Sequence, residues 1–187
     1  LSFRLLGKMN GLLGNDDRRA EWMRRADELG DLINAELWCE RTRFYHDRTL
    51  PRNFVASKTA AGFWPILAGC CPDERLEYLV GHLQNPAEFN RPTPVPSLSA
   101  DDPNYDPDGT YWVGGVWAPT NYMITRGLMG AGRGEVAHEI ATRYLAALEK
   151  TRQKVEPHTL WECYCPEADR PGHQAYTGKR VKPDFVG

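Results

Sequence analysis

An all-α fold built from helical pairs is what this chain of 187 residues predicts. Three observations lead there. Apolar residues recur at helical spacing in six stretches, and short turns join those stretches two by two. In the second and third pairs the first member is also more apolar than the second, which keeps a charged face for water. Such asymmetry fits two helical layers, one inside the other.

The elements follow in order. Phe3, Leu5, Leu6, Met9, Leu12 and Leu13 mark a first helix that Gly14-Asn15 ends. Residues 17–37 place Trp22, Ala26, Leu29, Ile33 and Leu37 on one stripe, with Arg18, Arg24, Arg25, Asp27 and Asp31 mostly on other faces. Lys58 to Ala68 predicts a buried helix with Ser57 as N-cap, and Pro72 opens its partner, which carries Leu76, Leu79, Val80 and Leu83. Trp117 to Met129 and Glu135 to Gln153 form the third pair. Gly130 to Gly134 turn between them, and Val136, Ile140, Tyr144 and Leu148 form the stripe of the last helix.

Composition narrows the function. Hydrophobic residues make up 41% and charged residues 26%, ordinary for a globular domain, and the net charge of -2 argues against nucleic-acid or acidic-membrane partners. No run approaches the ~18 apolar residues of a membrane span, so the chain reads as soluble. One domain over residues 1–187 is expected. Cys39, Cys70, Cys71, Cys163 and Cys165 are odd in number and match no zinc template, which predicts free thiols, no metal and, weakly, a cytoplasmic setting. No cofactor is implied. A start at Leu1 rather than Met, and an end just after Phe185-Val186, suggest a piece of a larger protein.

The long connections at 38–56, 85–116 and 154–187 are rich in aromatic residues, Pro or Gly, and connections of more than about 12–15 residues in a compact domain are usually functional. If the pairs alternate up and down, all three share one end. Within them, Tyr111-Trp112-Val113-Gly114-Gly115-Val116-Trp117-Ala118-Pro119-Thr120-Asn121-Tyr122 clusters two tryptophans and two tyrosines around a glycine pair that admits close backbone approach. Sugar rings present apolar C–H faces fringed by hydroxyls, so aromatic faces with a few amides or carboxylates suit them. A buried aromatic corner that only fixes the loop to its helix is an equal reading of composition. Leu160-Trp161-Glu162-Cys163-Tyr164-Cys165-Pro166-Glu167 sets the Glu162 carboxylate between aromatics; partial desolvation suits it to take a proton from water, and a structural acceptor is the plainer reading. His46 beside Asp47 reads as a surface or supporting residue rather than an acid–base pair, His138 as surface, and Lys179, Arg180 and Lys182 as a solvated basic cluster able to attract a carboxylate-bearing substrate. Asp101, Asp102, Asp106 and Asp108 read as a turn-rich loop without the ligand spacing of a calcium site.

The block at 111–122, followed some forty residues later by Leu160-Trp161-Glu162-Cys163-Tyr164, is similar to the C-terminal part of trehalases, mannosylglycerate hydrolases and processing α-glucosidase I. Leu37-Trp38-Cys39-Glu40 with Phe44-Tyr45-His46-Asp47, and Ala61-Gly62-Phe63-Trp64-Pro65-Ile66-Leu67-Ala68-Gly69, resemble two further elements of that family in the same order. The resemblance implies an (α/α)6 toroid of which these three pairs are the C-terminal half of the catalytic domain. It implies hydrolysis of an α-glycosidic bond with inversion, Glu162 as general base, and a general-acid Asp outside these residues. Tyr111, Trp112, Gly115, Trp117, Asn121, Tyr122, Trp161, Tyr164 and Trp64 would line the sugar subsite. Val113 stands where relatives often carry Arg, so substrate preference does not transfer. A small sugar or glycoside is the expected partner, with self-association or pairing with a missing N-terminal half at the exposed helical face. A non-catalytic carbohydrate-binding or interaction module is the alternative.

Overall fold

The computed structural model describes residues 1–174 and 179–184; Phe185 and Val186, at the chain end noted above, lie outside the described residues. Among the described residues there are six α-helices in three consecutive pairs joined by short turns: α1 (Ser2–Leu12) packs on α2 (Asp16–Glu36), α3 (Trp64–Ala68) is followed by α4 (Asp73–Gln84), and α5 (Ala118–Gly130) packs on α6 (Gly134–Lys154). Two short antiparallel strands, β1 (Trp38–Cys39) and β2 (Phe44–Tyr45), close the connection after α2. Gly14 and Gly69 turn the first two hairpins at positive φ, 73° and 67°, which a side chain would resist. α3 packs on α5, and the approach is close because Gly127 has no side chain: a Cβ there would lie 2.8 Å from the Leu67 nitrogen.

One expected element differs. Residues 58–68 do not form a single helix; Lys58 and Thr59 are extended, Thr59 bridges Leu98, Ala60–Phe63 is a 3-10 turn, and α3 begins at Trp64. Pro65 explains the break, since a helix through it would lose the bond its missing N–H should donate. Ser57 therefore caps nothing; its carbonyl instead accepts from His46 Nδ1 at 3.1 Å.

The main core lies where the first and second long connections meet α3 and α4. Phe44, Phe63 and Phe89 are fully buried and mutually packed, with Phe44–Phe63 and Phe63–Phe89 centroids 5.2 and 4.9 Å apart and edge-on. The motif residues Phe44 and Phe63 are thus packing residues. Gly62 is equally constrained, as a Cβ there would meet the Phe44 ring at 2.3 Å. Beside this core runs a partly buried polar chain centred on Glu88. Lys58 Nζ donates to Glu88 at 2.8 Å and to Asp101 at 2.6 Å, His82 bonds the other Glu88 oxygen, and His82 Nε2 faces the Thr42 carbonyl at 3.1 Å. It ties the first connection to the second.

Candidate active site

A second apolar cluster joins the last two long connections to the third hairpin. It contains Val116, Trp117, Tyr144, Leu148, Trp161, Cys163, Tyr164 and Val181, with Tyr111 packed against it. The two stretches singled out in the sequence meet here: Val116 and Tyr164 form an antiparallel bridge, each N–H donating to the other's carbonyl at 2.9 Å. Gly115 permits that approach. A Cβ on it would lie 2.4 Å from the Tyr111 carbonyl oxygen and 3.1 Å from Cys163 Sγ.

The Tyr111 carbonyl is the hub of the aromatic segment. It accepts from Gly115 N–H at 3.0 Å, from Trp117 Nε1 at 3.1 Å and from the Ser97 hydroxyl at 3.3 Å, while Tyr111 itself holds a φ of 40°. A non-glycine residue there costs about 1–3 kcal/mol, held in place by the surrounding bonds. The reward is a stacked indole pair: Trp112 and Trp117 lie 4.3 Å apart at 8°, with Trp117 buried and Trp112 56% exposed. The outer face of Trp112 is thereby presented to solvent on a rigid base.

Glu162 is 8% exposed. Its N–H donates to the Lys182 carbonyl at 3.1 Å, and the Lys182 N–H approaches its Oε2 at 3.4 Å. Trp161 bridges Pro183, and the Trp161 N–H donates to the Tyr164 hydroxyl at 3.0 Å. Glu162 is thus carried on a segment fixed on both sides. Of the remaining predicted subsite residues, Asn121 is buried, and its amide donates to the Pro94 and Trp117 carbonyls while its Oδ1 has no partner among the described residues. Tyr122 is 66% exposed and lies in a groove between α5 and α6 with Tyr144 and Leu145. Trp64 lines a cleft with Ile33, Leu37, Tyr45, His46 and Asp47.

Two supports had roles that the sequence did not signal. Ser97 donates to Tyr111 and accepts the Gly114 N–H at 3.2 Å. Glu167 is gripped by Arg91 at 2.7 and 2.9 Å and by the Tyr105 hydroxyl at 2.6 Å, which stitches the second connection to the third. Burial acts to raise the Glu167 pKa, but the Arg91 and Tyr105 hydrogen bonds outweigh it and hold the carboxyl below the usual carboxylate value. Partners 76 residues apart leave no local pattern to read. The four loop aspartates are engaged locally: Asp101 with Lys58 and Ser99, Asp102 with Asn104, Asp106 with the Asp108 N–H, and Asp108 with Arg170. His46 is buried rather than on the surface, one ring nitrogen facing the Ser57 carbonyl and the other the Thr42 hydroxyl at 2.7 Å. His138 is exposed. All five cysteines are free thiols, and no described helix is long and apolar enough to cross a membrane.

The described residues make this a mostly helical domain built from consecutive helices and long aromatic-rich connections, and comparison with known proteins narrows the class. Residues 2–179 match the family model described as the mannosylglycerate hydrolase MGH1-like glycoside hydrolase domain. The chain belongs to that glycoside hydrolase family. It is 30% identical over 142 residues to the mannosylglycerate hydrolase of Thermus thermophilus, covering 74% of this chain and 33% of that protein, and 25% identical to a periplasmic trehalase of Escherichia coli, covering 79% and 26%. The crystal structure of the GH63 mannosylglycerate hydrolase from Thermus thermophilus in complex with glucose superposes with a TM-score of 0.75 at 26% identity, over 92% of this chain and 41% of that one. The hairpins are accordingly part of an (α/α)6 arrangement. The chain spans about a quarter to two fifths of the length of these relatives.

Proposed function

We propose that this chain carries the general-base half of an inverting glycosidase site acting on a small α-glycoside. The observation that carries the reading is Glu162: a buried carboxylate whose chain neighbours Trp161, Cys163 and Tyr164 pack with Trp117, in a chain of glycoside hydrolase kinship. Inversion requires a carboxylate that activates water on one face of the sugar and an acid about 6.5–9.5 Å away that protonates the leaving oxygen. Glu162 takes the first role. The family resemblance puts the acid outside these 187 residues, and the aspartates of 101–108 are engaged in loop contacts. The outer face of Trp112 stacks on the sugar, with Trp117 and Tyr111 fixing its angle; Trp161 and Tyr164 hold Glu162, and the buried Asn121 anchors the start of α5. Glycosylglycerates and trehalose-like disaccharides are the substrates to test first, because the relatives are named for them.

The experiment is hydrolysis of trehalose, mannosylglycerate, glucosylglycerate and short α-glucosides by the full-length gene product and by its Glu162→Gln variant, with the anomer of the released sugar read by NMR. Glu162→Gln is expected to bind sugar while turnover falls by orders of magnitude. Turnover unaffected by the change sinks the assignment, retention at the anomeric centre sinks the mechanism, and sugar binding without any turnover favours a non-catalytic carbohydrate-binding module.

A further inference from the structure

Residues 93–99 are buried without a break, yet they lie in no helix and in no strand beyond a single bridge at Leu98. Irregular chain is seldom buried, because its backbone groups must find partners away from water. Two prolines ease that demand here, since Pro94 and Pro96 carry no N–H. The bonds that remain end on the stretches that build the site. Thr93 N–H donates to the carbonyl of Pro166, four residues after Glu162, at 2.8 Å, and the Pro94 carbonyl accepts from the Asn121 amide at 3.4 Å. Ser97 N–H donates to the Gly115 carbonyl at 3.0 Å, and the Ser97 carbonyl accepts from Ala60 N–H at 3.0 Å.

Between Thr93 and Ser97 this strap turns at Val95, whose φ is 59°. A β-branched residue resists that conformation, and a residue before proline is held to extended backbone, so the bend costs free energy. Packing holds it in place: Val95 is 1% exposed within the main core, and its N–H donates to the Phe89 carbonyl at 3.0 Å. Four residues span at most about 14 Å, so a bent strap of that length limits how far the Trp112 turn stands from the Glu162 connection. The Val116–Tyr164 bridge joins the same two stretches at one point, which by itself leaves a pivot. A second tie, offset from the first, removes it.

At the turn the tie is the Ser97 side chain. Its hydroxyl donates to the Tyr111 carbonyl at 3.3 Å and accepts from Gly114 N–H at 3.2 Å, so it clasps the residues that flank Trp112 and Val113. The Tyr111 oxygen also accepts from Trp117 Nε1, which sets the hydroxyl beside the inner ring of the stacked pair. We propose that Ser97 is a positioning residue of the glycosidase site: it sets the angle at which the Trp112 face stands to Glu162, and so where a stacked sugar ring lies when Glu162 activates water. This rests on the roles proposed above for Trp112 and Glu162. Ser99 is the contrast on the same strap: it is buried as well, but its hydroxyl donates to Asp101 at 2.6 Å rather than to the turn.

The test compares Ser97→Ala with Ser99→Ala in the full-length gene product. Each loses one buried hydroxyl and keeps the backbone bonds of the strap, so both fold. Near-UV circular dichroism of the Trp112–Trp117 pair is taken as the difference from the matching Trp112→Phe protein. The values of kcat and KM are measured on the glycoside turned over fastest, with Glu162→Gln alongside. In Ser97→Ala the sugar still stacks but lies out of register with the base, so the pair signal is expected to fall by half or more and kcat by about tenfold, with KM changed less than about threefold. Ser99→Ala is expected to keep the signal and both constants of the parent despite a comparable fall in Tm. Equal effects in the two serine variants, or a Ser97→Ala protein with the signal and kcat of the parent beside a Glu162→Gln protein that no longer turns over, overturn the role of Ser97 and leave the base assignment standing. Turnover untouched by Glu162→Gln overturns the base assignment and, with it, the link from Trp112 to Glu162.

Discussion

Gly115→Ala tests how the aromatic platform is held. The added Cβ would start 2.4 Å from the Tyr111 carbonyl oxygen, where ordinary contact begins at 3.4 Å, so that oxygen or the Gly115 backbone must move by about 1 Å. The oxygen is not free to move: it accepts from Trp117 Nε1 at 3.1 Å and Ser97 Oγ at 3.3 Å, and a 1 Å displacement away from Gly115 carries one or both bonds past useful length. Each lost bond costs about 1 kcal/mol net, and overpacking against Cys163 adds roughly as much again, for a total of about 2–4 kcal/mol. In a domain of this size each kcal/mol lowers Tm by about 2–4 °C, so a fall of roughly 5–15 °C is expected. Thermal unfolding by far-UV circular dichroism gives the number, and the near-UV signal reports on the stacked Trp112–Trp117 pair. Gly81→Ala is the control, since a Cβ there meets nothing within 4 Å and helix propensity favours alanine by about 1 kcal/mol. A folded Gly115→Ala protein with unchanged Tm and an unchanged near-UV spectrum refutes the argument that this carbonyl organises the site.

Two further outcomes concern ionisation. Burial acts to raise the Glu88 pKa, but hydrogen bonds from His82 and Lys58 overcome it and leave the carboxyl below its usual value. A depressed carboxyl stabilises the fold above its unfolded pKa, and that stability is lost as pH falls through the lower folded value. Glu88→Gln should therefore be less stable than the parent near pH 7 and show a flatter acid limb of denaturation midpoint against pH below about 4; an identical acid limb would show that the Lys58–Glu88–His82 chain contributes nothing to acid sensitivity. Burial likewise pushes the Cys163 thiol up to about 12, so it should stay unmodified by Ellman's reagent in the native protein at pH 8 and react on unfolding. Native-state labelling of Cys163, mapped by mass spectrometry, would contradict the packing around Gly115.

The legible part of this protein was local. Apolar periodicity located the helices because a helix repeats its environment every turn, and Gly14, Pro72 and the glycines of 130–134 marked hairpin ends because backbone conformation is decided residue by residue. Gly115 was legible as a place of close approach, although not what approached it. The break at Pro65 overrode a convincing apolar run, which shows that one missing N–H outweighs composition over a short stretch. Motif order also pointed to the glycoside hydrolase kinship, yet Phe44 and Phe63, within those motifs, proved to be the centre of the core. Sequence by itself determined the hairpins, their order and the two stretches that meet, since hydrogen bonding within four residues and burial stripes are written along the chain. Only the tertiary structure decided that Arg91 grips Glu167, that Ser97 steadies Tyr111, that His46 is buried, and that Trp64 lines a cleft with Ile33 and Leu37 of α2. Each of those depends on atoms brought together across tens of residues by burial, a force that specifies how much surface is hidden and leaves to packing the question of which partner hides it.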